Sequence, residues 1–435
     1  MRLQQDTYFT SSLISIIMAS ISTILPLFGI LFSFCISSIL AQSGSWDAKL
    51  YLFPDTLVQK YNAKCLDGSN PGLYYRPASN PNSNTKWKIH FQGGGWCTSL
   101  SDCYSRSQSI LGSSKFFTPW LSTLWPPEYA GFYGLMDNNI TENNPFGDWN
   151  FVWFAYCDGT SQTSDNNNVL TYNNSSLYFR GRAILDGHLD LLEQINNFLT
   201  KSSEVIVSGT SAGGLSTYFH TGYIKSRLPS SARVVAMPDA GFFLDVAYYG
   251  TNNDHVWYNQ VAAAIVDTLW NATLRGNAQQ CLGQLGPKGL LAQCYFVQYL
   301  YPYLNDNDGI FVMQSTYDTA NLGICYGMNC NLYTNCNSNE TQAIQNYHTL
   351  LQSSVLTAQT NFPNRGGHFL TSCYQHEESC RARDWYGIII NNQNANTTFY
   401  NWYTYGTNNA NSNRIDVPWP GDNTCAPQGF VHGAC

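Results

Sequence analysis

One serine in this chain has the neighbours a nucleophile needs. Gly209-Thr210-Ser211-Ala212-Gly213 has the form G-x-S-x-G, preceded by Val205-Ile206-Val207 and followed by a stretch that reads as a helix. A strand that bends sharply into a helix at such a serine lifts the hydroxyl above the sheet. It also aims the next amide N–H, that of Ala212, at the place where an oxyanion would form. The plainer alternative is a glycine-softened turn that happens to hold a serine. Strand before and helix after favour the first reading.

A hydroxyl is a weak nucleophile until a base takes its proton, and a carboxylate must hold that base in the right tautomer. In this kind of sheet the chain order is serine, acid, histidine, with catalytic groups at the C-terminal edge of the strands. Asp318 follows the strand-like run "GIFVMQS" (309–315) and meets that requirement; alone, it would equally suit a helix N-cap or turn. The downstream histidines are His255, His348, His368, His376 and His432. His255 and His348 border or lie within helical patterns and read as surface residues, while His432 sits in the tail. His368 and His376 share the segment "GGHFLTSCYQH", and the residues alone leave both open. Cys373 leans the choice toward His376, because a disulfide there would pin its loop. A second oxyanion donor must come from another loop. "HFQGGGWC" (90–97) runs a strand into three glycines, where backbone can approach a ligand closely, at Gly94 or Gly95. A tight turn stapled by Cys97 and Cys103 would use the same glycines.

Holding these groups together requires a sheet. Short apolar runs at 86–92, 149–157, 203–209, 231–239 and 309–315 read as buried strands. "RAILDGHLDLLEQINNFLTK" (182–201) carries Ile184, Leu185, Leu189, Leu192, Ile195 and Phe198 at helical spacing. Residues 214–226 and 346–360 read as further helices. The alternation predicts an α/β fold, a mainly parallel sheet covered on both faces. Segments 98–148, 245–308 and 319–345 read as loop-rich insertions. The tail from Asn391 is expected to wrap on the body, tied by Cys425 or Cys435.

Charged residues are 11% of the chain, aromatics 15%, and the net charge is −7 without a Lys/Arg cluster. That excludes a nucleic-acid partner of the phosphate-neutralising kind and leaves a neutral polar surface rich in Asn, Ser and Thr. Residues 1–41 are set aside: an acid-free apolar run from Ser11 to Ala41 reads as a cleaved secretory signal, although its length would also serve an uncleaved anchor. Residues 42–435 are then one domain, free of membrane after cleavage. Without Cys35, thirteen of the fourteen cysteines remain, enough for six disulfides and one thiol. Sequons at Asn139, Asn173, Asn174, Asn271, Asn339 and Asn396 agree with a secretory route. Zinc is disfavoured, since no CxxC pair occurs.

Eight ordered blocks between about Leu50 and Tyr386 resemble the pectin acetylesterase/Notum family of carboxylesterases: "KCLDGSNPGLYYRPAS", "HFQGGGWC", "YCDGTS", "LYFRGRAIL", "SGTSAGGLS", "DAGFFLD", "YDTANL" and "SCYQH". The resemblance implies an α/β-hydrolase-like fold with Ser211 as nucleophile, Asp318 as acid and His376 as base. It implies oxyanion donors among Gly94, Gly95 and Ala212, and puts Trp96 at the substrate. No metal or organic cofactor is implied, and the implied partner is an acetylated polysaccharide. Trp120, Trp125 and Trp149 are candidate sugar-stacking residues, with core packing as the alternative. Two positions depart from the family: Thr210 and Glu377 stand where its pectin acetylesterases often carry cysteine. The Gly-Gly-Gly-Trp loop matches the pectin acetylesterases, whereas Notum has an aromatic one position earlier. That favours an acetylated polysaccharide over a lipid-modified protein. A secreted binding module that kept the fold without the chemistry is the non-catalytic alternative, and the intact serine, acid and base argue against it.

Overall fold

The β-branched and aromatic runs become strands, and their alternating side chains bury both faces. The computed structural model describes residues 47–124, 134–138, 144–266, 269–360, 365–421 and 424–425. The apolar leader, Trp125, Asn139, His432 and Cys435 fall outside these. The described strands are β1 (Lys49–Leu52), β2 (Gly72–Arg76), β3 (Lys86–Phe91), β4 (Asn150–Phe154), β5 (Asn166–Tyr172), β6 (Ser175–Phe179), β7 (Glu204–Thr210), β8 (Arg233–Asp239), β9 (Ile310–Ser315), β10 (Gly366–Thr371) and β11 (Asn413–Ile415). Nine form one sheet in the order β1-β2-β4-β3-β7-β8-β9-β10-β11, and β5–β6 is a separate hairpin. From β4 to β11 every pairing is parallel; β1–β2 and β2–β4 are antiparallel.

The helices that matter here are α1 (Leu100–Ser107), α2 (Gly181–Asn196), α3 (Ala212–Ser226), α4 (Val256–Val266), α5 (Ser338–Thr360) and α6 (Ala395–Tyr405). Val205 and Val207 of β7 pack with Ile184, Leu185 and Leu189 of α2, whereas Ile206 between them packs with Phe399 and Trp402 of α6. β9 repeats the split: Val312 meets Leu351 and Val355 of α5, and Phe311 and Met313 meet α6. Period-two alternation with both faces apolar is the signature of a covered parallel sheet. The chain therefore has the α/β-hydrolase-like architecture, a mostly parallel sheet with helices on both faces.

The long helical pattern at 182–201 is two helices. Asn197 takes left-handed φ 53° at the end of α2, a conformation asparagine tolerates, and Phe198–Lys201 resumes as a single turn. The insertion at 245–308 is more ordered than its composition implies: α4 and the helix Ala278–Leu285 pack over Tyr218 and Phe219 of α3. The tail is likewise structured, supplying α6 to the sheet face and β11 beside β10.

Among the described residues five disulfides are formed: Cys65–Cys157, Cys97–Cys103, Cys281–Cys294, Cys330–Cys336 and Cys373–Cys425. Cys380 is also disulfide-bonded, and Cys325 is a buried free thiol. Asn396 is buried and accepts a hydrogen bond from the Trp385 indole. Its sequon is therefore closed to a glycan on the folded protein. No helix among the described residues is long and apolar enough to cross a membrane.

Cys373–Cys425 closes a 52-residue separation and ends three residues before His376. Its loss in Cys425→Ser releases loop entropy worth about 4 kcal/mol in the chain-entropy model. A calorimetric scan of the variant should show a clearly lowered melting temperature; an unchanged one contradicts this pairing.

Candidate active site

β7 turns into α3 at Ser211, which has φ 56° and ψ −122°. A non-glycine residue there is strained, at a cost of about 1–3 kcal/mol, and stays only where its surroundings over-determine it. Close backbone packing supplies that constraint. A Cβ on Gly213 would lie 2.0 Å from the Phe91 carbonyl oxygen, and one on Gly209 would lie 2.3 Å from the Gly213 carbonyl oxygen. Only glycine lets the helix start press so closely on β3 and β7. The Ser211 amide donates to the Asp239 carbonyl at 3.0 Å, fixing the bend to the end of β8. The residue keeps slight exposure, at 8%.

Asp318 follows β9 and is wholly buried. Both its carboxylate oxygens lie 2.9 Å from Nδ1 of His376. Oδ1 also accepts the amides of Ala320 and Asn321, each at 2.9 Å, and Oδ2 accepts the Gln314 side-chain amide at 2.9 Å. Asp318 thus serves both uses that its position in the sequence allows: it caps the turn that follows and it bonds the histidine. Burial alone would depress the His376 imidazole, but the charge of Asp318 and its hydrogen bond outweigh burial and raise it to about 9.

The other histidines separate cleanly. His368 lies in β10 and bonds the Gln359 carboxamide at 2.8 Å, and burial lowers it to about 4. His348 is buried, contrary to its reading as a surface residue: it pairs with the Thr316 hydroxyl at 2.8 Å and stacks on Tyr317. His255 is half-exposed and bonds Asp245. Of the two left open by the residues alone, only His376 meets Asp318.

The glycine loop after β3 lies against the serine turn. A Cβ on Gly93 would sit 2.7 Å from the Thr210 carbonyl oxygen, 2.9 Å from Glu377 Oε1 and 3.2 Å from Ser211 Cβ. The two positions that depart from the family pattern therefore meet at this point, next to the nucleophile candidate. Gly94 and Gly95 have φ 132° and 68°, values that side-chain-bearing residues rarely adopt. Arg106 of α1 donates to the Gly94 carbonyl at 2.7 Å and the Trp96 carbonyl at 3.2 Å, and the Tyr156 hydroxyl donates to the Gly95 carbonyl at 2.8 Å. Across a trans peptide, C=O and N–H point opposite ways. Pulling the Gly94 carbonyl toward Arg106 thus turns the Gly95 N–H away from it.

Ser161 links this loop to the elbow. It accepts the Trp96 indole N–H at 2.7 Å and donates to the Ala212 carbonyl at 2.8 Å. Asp158 orders its turn by accepting the amides of Thr160 and Gln162. Arg106, Tyr156, Ser161 and Asp239 were not singled out from the sequence. Their roles come from tertiary contacts; Tyr156 and Ser161 lie in the "YCDGTS" block and Asp239 opens the "DAGFFLD" block, but neither block indicated those contacts.

Trp96 packs edge-on against Phe243, with ring centroids 4.8 Å apart, and against Trp257 at 5.3 Å. With Leu215, Phe219 and Trp270 these residues wall a cavity of about 20 Å³. Leu215 is one turn past Ser211, its amide bonded to the Ser211 carbonyl at 3.0 Å. Trp149 is buried among Phe146, Tyr403 and Lys86 and is core. Trp120 is 39% exposed beside β1, to which it bridges at Lys49.

Cys330 and Cys336, which with Glu340 bring three potential metal-ligand atoms close together, are joined as a disulfide and offer no thiolates.

The pectinacetylesterase family model matches residues 47–426. Pectin acetylesterase 7 of Arabidopsis thaliana is 30% identical, the match covering 86% of this chain and 92% of the relative. Pectin acetylesterase 5 of the same plant is 26% identical over 86% of this chain and 84% of its own length. The palmitoleoyl-protein carboxylesterase NOTUM of Schmidtea mediterranea is 28% identical over 79% of this chain and 61% of its own. With a family model spanning nearly all the described residues and an ordered set of shared blocks, this chain belongs to the pectinacetylesterase family.

Proposed function

We propose that this carboxylic ester hydrolase removes O-acetyl groups from an acetylated cell-wall-type polysaccharide, through Ser211, His376 and Asp318 and an acetyl-enzyme intermediate. The observation that carries the reading is His376, bonded by Nδ1–H to the buried Asp318, in a loop that shares contacts with the strained Ser211 elbow. That bond leaves Nε2 to take the Ser211 proton. Ser211 Oγ attacks the acetyl carbonyl, and amides of the Gly94–Gly95 loop and of Ala212 hold the oxyanion. The imidazolium passes its proton to the sugar oxygen as the C–O bond breaks. Water, deprotonated by the same nitrogen, then attacks the acetyl-enzyme, and acetate leaves as Ser211 regains its proton.

The acetyl preference and the polymer class follow the named activity of the plant relatives. Passage through a secretory route is supported by the disulfides, which persist in oxidising compartments.

Acetate release from acetylated pectins and xylans should be lost by about 10⁴-fold or more in Ser211→Ala, with the fold intact by circular dichroism. Residual turnover near wild type overturns the reading. p-Nitrophenyl acetate should be cleaved faster than the octanoyl ester; the reverse order indicates a lipid deacylase, and activity on neither a binding module.

The pH dependence has a definite sign. An imidazole held at about 9 is protonated at neutral pH, and the base form grows as pH rises, so kcat/KM should climb from neutral into alkaline pH. Asp318→Asn removes the charge that opposes burial. Its kcat should drop by about 10³–10⁴-fold, and its ascending limb should move to lower pH. A limb that stays in place contradicts the assignment.

A further inference from the structure

Asp239 ends β8 and pairs in register with Thr210, the residue before Ser211. It is completely buried. Its carbonyl accepts the Ser211 amide at 3.0 Å. Its carboxylate Oδ2 accepts the amides of Glu378 at 2.8 Å and Ser379 at 2.7 Å. Those donors are the second and third residues after His376. One side chain and its own carbonyl therefore grip the nucleophile bend and the histidine loop, which are far apart in the chain. Given the catalytic reading above, we infer that Asp239 is a positioning residue: it sets His376 against Ser211 and places a second negative charge behind the imidazolium.

The electrostatics around the loop agree. His376 faces Asp318 after β9, Asp239 at the end of β8 and Glu377 on its own loop, all of which favour its charged form. Arg381 donates to the His376 carbonyl at 3.3 Å and pairs with Asp384. Asp239 in turn faces Glu377 and Glu378. Burial raises Asp239 to about 6 and Glu378 to about 8. Near neutral pH the charge of that pair thus rests on Asp239, where two amide donors meet it, and Glu378 stays protonated. Thr371 and Gln375 hold Glu378 by its Oε1.

The test is Asp239→Asn, with rates normalised to serines titrated by a fluorophosphonate so that inactive protein drops out. The carboxamide keeps the shape and one accepting oxygen but removes the charge. Expected are a kcat lower by about 10–100-fold, a KM within a few-fold of wild type, and an ascending kcat/KM limb moved to lower pH. Wild-type kcat with an unmoved limb overturns the inference. If Asp239→Asn yields no titratable serine, Ser379→Pro supplies the answer. Ser379 is the second residue of the turn closed by Arg381 N–H on the Glu378 carbonyl at 3.5 Å, a position that accepts proline. The substitution deletes one amide donor to Asp239 and keeps the carboxylate. It should lower kcat by about fivefold, the worth of one hydrogen bond, and an unchanged kcat overturns the inference. Wild type without Ser211-dependent acetate release sinks the esterase reading itself, whereas an active wild type with a silent Asp239→Asn sinks only this one.

Discussion

The site depends on one buried carboxylate. Asp318 has no contact with solvent, and a lone charge so placed would cost far more than a fold can spare. It is kept by what surrounds it: two backbone amides, one side-chain amide and the His376 imidazole. Each donor comes from a piece of structure that must be in register. Gln314 is on β9, the amides begin the turn after it, and His376 follows β10, the parallel neighbour of β9. The sheet order therefore places Asp318 and His376 side by side, and Cys373–Cys425 anchors the loop between β10 and His376.

The same physics sorts the histidines by their surroundings. His90, His188 and His220 are buried and lowered to about 3, 3 and 4, because burial acts on them without an opposing carboxylate. They are neutral packing groups: His90 stacks on Trp153 and His188 on Phe154. His376 keeps some exposure and faces three acids, and its shift has the opposite sign. The glycine loop beside the serine turn is held by its carbonyls. Arg106 and Tyr156 bind them on one side, which turns the following amides to the other. In the proposed reaction, donors held this way need no rearrangement when charge develops.

Local features were legible in the sequence where local chemistry made them. The serine bend needs glycines at fixed offsets, so "SGTSAGG" announces it, and the central strands are dense in Val, Ile and aromatics. The choice between His368 and His376 was not local. It turns on which one reaches Asp318 across two strands, and only the register of β9 with β10 decides that. The antiparallel edge β1–β2 and the helix α6 were missed because "GLYYR" and "ANTTFYNWYTY" carry polar or weakly patterned residues whose burial comes from tertiary packing. Trp149 was ambiguous for the same reason: an indole that stacks on a sugar and one that fills a core are alike until neighbours such as Phe146 are known. Asp239 sat in a recognised block, yet nothing about its type or spacing hinted that it holds two loops at once.

The central claim is that Ser211 carries the acyl group in transit. Acid-quenching the enzyme during steady turnover of an activated acetyl ester such as p-nitrophenyl acetate, whose good leaving group speeds acylation relative to hydrolysis of the acetyl-enzyme, and mapping the peptides by mass spectrometry tests it most directly. The account predicts one acetyl group on the peptide holding Ser211, appearing within a turnover and disappearing once the ester is exhausted. Turnover with that peptide unmodified, or an acetyl group held on another side chain, contradicts it.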